Sequence, residues 1–165
     1  MIERYVSIKQ EDMFMKKNSP PLRPTALANF KKTDSRLSDI IGRFWKIVWG
    51  SDNPAIDQRI KYLLSLSNAV GSGRYRQATR ELVKAYAAGT TVGELDELFS
   101  LFVWNQGAGH FASEIGPSPL FAAYQFIKAH EEKGNSREDI VQGLLKKFGE
   151  DNPDVGTRGQ TAGTS

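Results

Sequence analysis

The chain has 165 residues, a formal net charge of +3 and no cysteine. That length suits one domain with a sizeable core, and the absence of cysteine excludes disulfides, thiolate metal sites and thiol catalysis together. The charge is mild, no stretch approaches the roughly 20 apolar residues that span a bilayer, and no apolar signal segment follows the first charges, so the expectation is a cytoplasmic protein without membrane contact.

In chain order, residues 1–24 carry Lys16-Lys17 and Pro20-Pro21 without regular periodicity and read as an N-terminal arm. A helical domain is expected over residues 25–149. Its first helix lies within residues 34–50, where Leu37, Ile40, Ile41, Phe44 and Val48 recur at three- and four-residue spacing, Asp34 is placed to cap and Gly50 to stop. A second helix follows the Ser51-Asp52-Asn53-Pro54 loop, with Ile56, Ile60, Leu63, Leu64 and Ser67 as its expected buried stripe, and Gly71-Ser72-Gly73 interrupts it. The third, over residues 74–88, turns Ala78, Leu82, Ala85 and Tyr86 inward and ends at Gly89, which tolerates a left-handed cap.

Thr91-Val92-Gly93-Glu94 is a capping box, in which threonine and glutamate satisfy free amides reciprocally. The helix it starts carries Leu95, Leu98, Phe99, Phe102 and Val103 before a Gly107-Ala108-Gly109 break. Ser118-Pro119 starts another, because proline loses nothing at a first helical position, and Ser136 opens the last through Phe148. Residues 150–165 hold only Val155 and Ala162 as apolar residues and read as a disordered, dispensable tail. The fold class is therefore all-α, a compact domain of about six helices whose short connections favour antiparallel neighbours.

Ile56-Asp57-Gln58-Arg59-Ile60-Lys61 at a helix start, the Ala87-Ala88-Gly89 ending, the Thr91–Glu94 box, the Gly107-Ala108-Gly109 break and the Ala-rich helix from Pro119 come in a distinctive order. That series, over residues 56–132, resembles the carboxymuconolactone decarboxylase and alkylhydroperoxidase-D-like family. The resemblance implies a two-helix hairpin protomer assembled into trimers or hexamers, with pockets near subunit contacts. In the redox-active branch a glutamate, a Cys-x-x-Cys pair and a histidine fall on Tyr62, Arg74, Gln77 and Glu81, and all four differ here. The decarboxylase branch often keeps an arginine at the first cysteine position and a histidine at the last. Arg74 agrees with that pattern and Glu81 departs from it.

The resemblance thus implies a cofactor-free, non-redox lyase acting on a small anionic metabolite. Arg74 and Gln77 would bind substrate, Glu81 or His110 would move a proton, and Tyr62 would assist. Arginine offers a fixed positive fork to a carboxylate or enolate, and a glutamate in a pocket serves as acid or base. Histidine as a residue type titrates near neutral pH, which makes His110 a candidate for the same work. The alternative is that Arg74 and Glu81 join a surface ion-pair network with Arg76, Arg80 or Lys84, in a catalytically silent oligomer that binds or scaffolds. Arg76, Arg80 and Lys84 recur at i, i+4, i+8 and read as a solvated outer face, with nucleic acid an unfavoured partner. His130, in the last turn of a helix, reads as structural. No His-Glu-x-x-His motif offers a metal site. Trp45, Trp49, Phe102, Trp104 and Phe111 exceed what one small core needs, which points to homo-oligomer contacts.

A peroxidatic cycle requires a thiolate nucleophile. Metal-free protein is accordingly expected to consume no hydroperoxide when supplied with a dithiol donor. Robust turnover that survives metal removal would contradict this.

Overall fold

A computed structural model describes residues 26–157. Among the described residues eight α-helices follow one another: α1 (Ala26–Thr33), α2 (Ser35–Trp49), α3 (Gln58–Gly71), α4 (Tyr75–Ala87), α5 (Val92–Gln106), α6 (Ala108–His110), α7 (Pro119–Glu132) and α8 (Arg137–Phe148). A π-helical turn, Phe111–Ile115, joins α6 to the loop before α7. The described residues contain no strand, so the all-α expectation holds. The six expected helices are present, and α1 and α6 add to them.

The helix ends follow from local chemistry. Asp34 accepts the Arg36 amide at 2.8 Å. Thr91 accepts the Glu94 amide while Glu94 accepts the Thr91 amide, closing the capping box as read. Ser118 and Ser136 cap α7 and α8 in the same manner. At the end of α3, Gly73 adopts φ +66°, which lets its own amide reach the Val70 carbonyl and the Arg74 amide reach that of Ala69. Gly89, at φ +107°, closes α4 with the same pair of bonds, to Tyr86 and Ala85. The tight closure at Gly73 folds α4 back along α3.

Helix α4 is the centre of the molecule, with α3, α7 and α8 packed around it. It buries Ala78, Thr79, Glu81, Leu82, Val83, Ala85 and Tyr86. Leu66, Ala69 and Val70 of α3, Leu120, Ala123 and Ile127 of α7, and Ile140, Leu144 and Phe148 of α8 complete that core. Helix α5 adds Leu95, Phe99 and Phe102, and Phe99 stacks on Tyr124 with ring centroids 4.1 Å apart. Helices α3 and α5 run side by side in the same direction. Arg59 pairs with Glu94 at 2.5 Å near their starts, and Gly71 lies against Gln106 at their ends.

Two expectations change. The buried face of α3 is Tyr62, Leu66, Ala69 and Val70, whereas Ile56, Ile60 and Leu64 are exposed. Apolar residues occur on more than one side of α3, so periodicity alone does not choose the side that meets α4. Helix α2, whose apolar spacing marks a face to cover, buries no residue. Residues 150–157, assigned to a tail, instead fold back onto the domain: Val155 is fully buried in the core cluster. Arg80 donates to the Val155 carbonyl and Arg76 to that of Gly156. Two charge-assisted bonds to backbone carbonyls anchor a segment that has one apolar side chain to bury. The expected arm over residues 1–24 lies outside the described residues, as do residues 158–165.

A chain ending at Gly149 is therefore expected to fold with lower stability, by about 2–4 kcal/mol from lost Val155 burial and arginine bonds. That corresponds to a fall of roughly 5–15 °C in Tm. An unchanged thermal transition would show that residues 150–157 contribute nothing to the fold.

Candidate functional site

The structure divides the expected site residues among three places. Tyr62 of α3 and Glu81 of α4 come together because the hairpin turn at Gly73 brings the first half of α3 beside the second half of α4. Arg74 sits at the N-cap of α4, exposed, with no side-chain capping bond. Seven residues separate it from Glu81, about 10 Å along a helix axis. Gln77 is half-buried on the first turns of the same helix. His110, in α6, is exposed, and its Nε2 lies 2.6 Å from the Tyr75 hydroxyl. Tyr75 is about 9 Å along the axis from Glu81, so His110 belongs to the opposite end of the hairpin. The expected joining of Arg74, Glu81 and His110 in one pocket is not what the fold builds.

What gathers at Tyr62 and Glu81 is a different set. Glu81 is only 6% exposed, and its Oε1 accepts from Lys84 Nζ at 3.1 Å. Its Oε2 is buried without a hydrogen-bond partner. Trp49, the last residue of α2, stacks on Tyr62 with centroids 5.3 Å apart and planes 19° from parallel. Lys84 Nζ stands 6.0 Å from the Trp49 ring and 5.8 Å from the Tyr62 ring. Both aromatic faces thus meet the cation that holds Glu81. Burial pushes the Tyr62 phenol above its ordinary pKa; a Gln58 hydrogen bond pulls it back, and the charge on Glu81 raises it further.

Lys84 was grouped by spacing with Arg76 and Arg80 as a solvated face. The structure corrects this: Arg76 and Arg80 hold backbone carbonyls, and Lys84 turns to Glu81. The i, i+3 relation of Glu81 and Lys84 was visible in the sequence as a pairing signal. The Trp49–Tyr62 stack had no such signal, since it depends on where the end of α2 meets α3.

At the other end, Tyr75, which meets His110, borders an open depression lined also by Arg76, Glu114, Ser118 and Asp154. Burial and the charge of Glu114 raise the Tyr75 phenol. His130 packs on Phe126 at 4.1 Å between centroids, the structural placement that its position suggested. Among the described residues no group of three His, Asp or Glu side chains is arranged to hold a metal ion, and no helix is long and apolar enough to cross a membrane.

Comparison of the chain with protein-family models, with curated proteins and with solved structures finds no match in any of the three. The chemistry of the Trp49, Tyr62, Glu81 and Lys84 cluster therefore has to be argued from its own geometry. A carboxylate oxygen buried without a donor costs about 1–3 kcal/mol, and a buried ion pair contributes little net stability relative to apolar replacements.

That asymmetry is measurable. Lys84→Met leaves the Glu81 carboxylate without its cation and is expected to cost about 3 kcal/mol in urea unfolding. Replacing both residues by methionine is expected to return stability to within about 1 kcal/mol of the parent. A double variant as unstable as the single one would show that the pair is structural.

Proposed function

We propose that the chain is a carboxymuconolactone decarboxylase-like helical protein, assembled as a homo-oligomer, trimeric or hexameric, that performs non-redox, cofactor-free chemistry on a small anionic metabolite. The observation that carries this reading is the buried Glu81 carboxylate, with one oxygen on Lys84 and the other without a partner. Retaining such a group is easier to account for as a proton-transfer residue than as a stabilising contact. In this reading Lys84, in place of Arg74, supplies the positive charge that meets the anion. Trp49 and Tyr62 form a flat apolar wall, and the Tyr62 hydroxyl is a donor for a developing oxyanion.

The reaction class is proton transfer at a carbon next to a carbonyl. When a carboxylate substrate loses carbon dioxide, the electron pair of the broken bond remains as an enolate. Glu81 relays a proton from the Lys84 ammonium to the enolate carbon, and solvent restores that proton to Lys84. Nothing in this sequence requires the thiol that the chain lacks.

A second reading, a catalytically silent oligomer that binds or scaffolds, is favoured by a separate observation. Large apolar side chains stand exposed on α2, α3 and α5, with Trp104 84% exposed, and surfaces of this kind mark partner contacts.

The two separate in one experiment. A panel of small carboxylates, including β-keto acids and lactone carboxylates, is incubated with the protein in D2O and followed by NMR for decarboxylation and carbon-bound deuterium. Turnover is expected with at least one member, falling about 100- to 10,000-fold in Glu81→Gln. Lys84→Met is expected to raise KM more than it lowers kcat. Absence of exchange and of binding across the panel would reject the enzymatic reading in favour of the scaffold.

A further inference from the structure

Among the described residues two apolar faces lack a partner, and each carries what the other needs. On α2, Ile40, Phe44 and Ile47 recur at i, i+4, i+7 and stand open, with Ile47 76% exposed. The helix is held to its own chain mainly at its ends. It packs on α1, its Trp49 stacks on Tyr62, and Lys61 donates to the Val48 carbonyl. Along the seam between the parallel helices α3 and α5, Ile60 and Leu64 of α3 and Leu101 and Trp104 of α5 are also exposed. Residues three and four apart share a helix face, so Ile60 and Leu64 share one face of α3, and Leu101 and Trp104 one face of α5.

The charges are opposite. Helix α2 carries Arg36, Arg43 and Lys46 against a single Asp39. Helix α5 carries Glu94, Asp96 and Glu97 and no basic residue, and the two basic residues of α3, Arg59 and Lys61, are engaged by Glu94 and by the Val48 carbonyl. Glu94 and Asp96 are engaged by Arg59 and Lys128, whereas Glu97 has no ion-pair partner among the described residues. Arg43 precedes Ile47 by one helical turn, and Glu97 precedes Leu101 by one. Each face thus sets one charge beside its apolar row. Both helices have 15 residues, about 22 Å of axis, so a full-length antiparallel or parallel match leaves neither end uncovered.

We infer that α2 of one copy docks on the α3–α5 face of a second copy, with Ile40, Phe44 and Ile47 seated against Leu64, Leu101 and Trp104, and Arg43 paired with Glu97. The inference rests on the assembly part of the proposed function and specifies its interface. A closed pair satisfies both faces of both copies, and a head-to-tail ring does the same for any number. The Trp49 anchor lies at the foot of the docking helix, so the same contact fixes the wall of the Tyr62 and Glu81 cluster. It also revises the expectation that Trp49 is among the homo-oligomer contacts, because Trp49 is packed on its own Tyr62.

The cysteine-free background makes the test direct. One chain carries Ile47→Cys, and a second, size-tagged chain carries Leu101→Cys; both are checked for native helicity, mixed and treated with a short bis-maleimide. A mixed-size crosslinked product is expected, and so is an oligomer in light scattering. In the same assay Arg43→Glu and Glu97→Arg are each expected to weaken association about 10-fold, and the two together to restore it. An oligomer that yields no mixed product, or only links between two copies of the Ile47→Cys chain, overturns this interface and leaves the assembly standing. A chain bearing both substitutions that links only to itself at high dilution also overturns it, placing α2 on its own domain. A monomer at all concentrations removes the assembly altogether.

Discussion

Almost every side of α4 is covered, and each polar group that this helix carries has to be answered inside the protein. Its apolar residues alone would make an ordinary core. The small side chains of Ala78, Thr79 and Ala85 let neighbouring helices close in, and Thr79 returns its hydroxyl to the Tyr75 carbonyl one turn back. The larger polar groups define the rest of the architecture. Arg76 and Arg80 reach the carbonyls of Gly156 and Val155 and so draw residues 150–157 onto the domain. Tyr86 donates to Glu131 at 2.7 Å, and Arg137 lies over the Tyr86 ring while bonding the carbonyls of Tyr86 and Thr90. That network joins α4 to α7 and α8. An unmet donor or acceptor at any of these places would cost about 1–3 kcal/mol.

Glu81 is the exception that makes the rule useful. Every other polar side chain of α4 that is deeply buried ends on a partner, whereas Glu81 keeps one carboxylate oxygen without one. Its neighbours are the chemically capable ones: a cation, a phenol pushed above its ordinary pKa, and a stacked indole. The cluster lies at the meeting of α2, α3 and α4. Its geometry therefore depends on α2, a helix that buries no residue of its own. Trp49 joins that helix to the cluster, so whatever fixes α2 also fixes the wall of the cluster.

The sequence reading went furthest where physics is local. Capping residues such as Asp34, Thr91 with Glu94, Ser118 and Ser136, and stop signals such as Gly89, act within one helical turn, and the helices start and stop at them. The inward residues of α4 were also legible, because Ala78, Leu82, Ala85 and Tyr86 recur at helical spacing. The site was legible only in part. Tyr62 and Glu81, named by the family resemblance, do meet. Arg74, named by the same resemblance, lies about 10 Å from Glu81 along α4 by helical rise, and His110, singled out by its place at the glycine break, meets Tyr75 instead.

By itself, then, the sequence determined the all-α class, the helix limits and the absence of thiol chemistry, since each depends on composition or on neighbours a few residues apart. Only the tertiary structure decided which side of α3 is buried, that residues 150–157 belong to the core, and that Lys84 rather than Arg74 stands beside Glu81. Those outcomes depend on which surfaces meet across long sequence separations. Apolar spacing shows that a helix has a face to cover, but the cover comes from another element, and nothing within the helix names it.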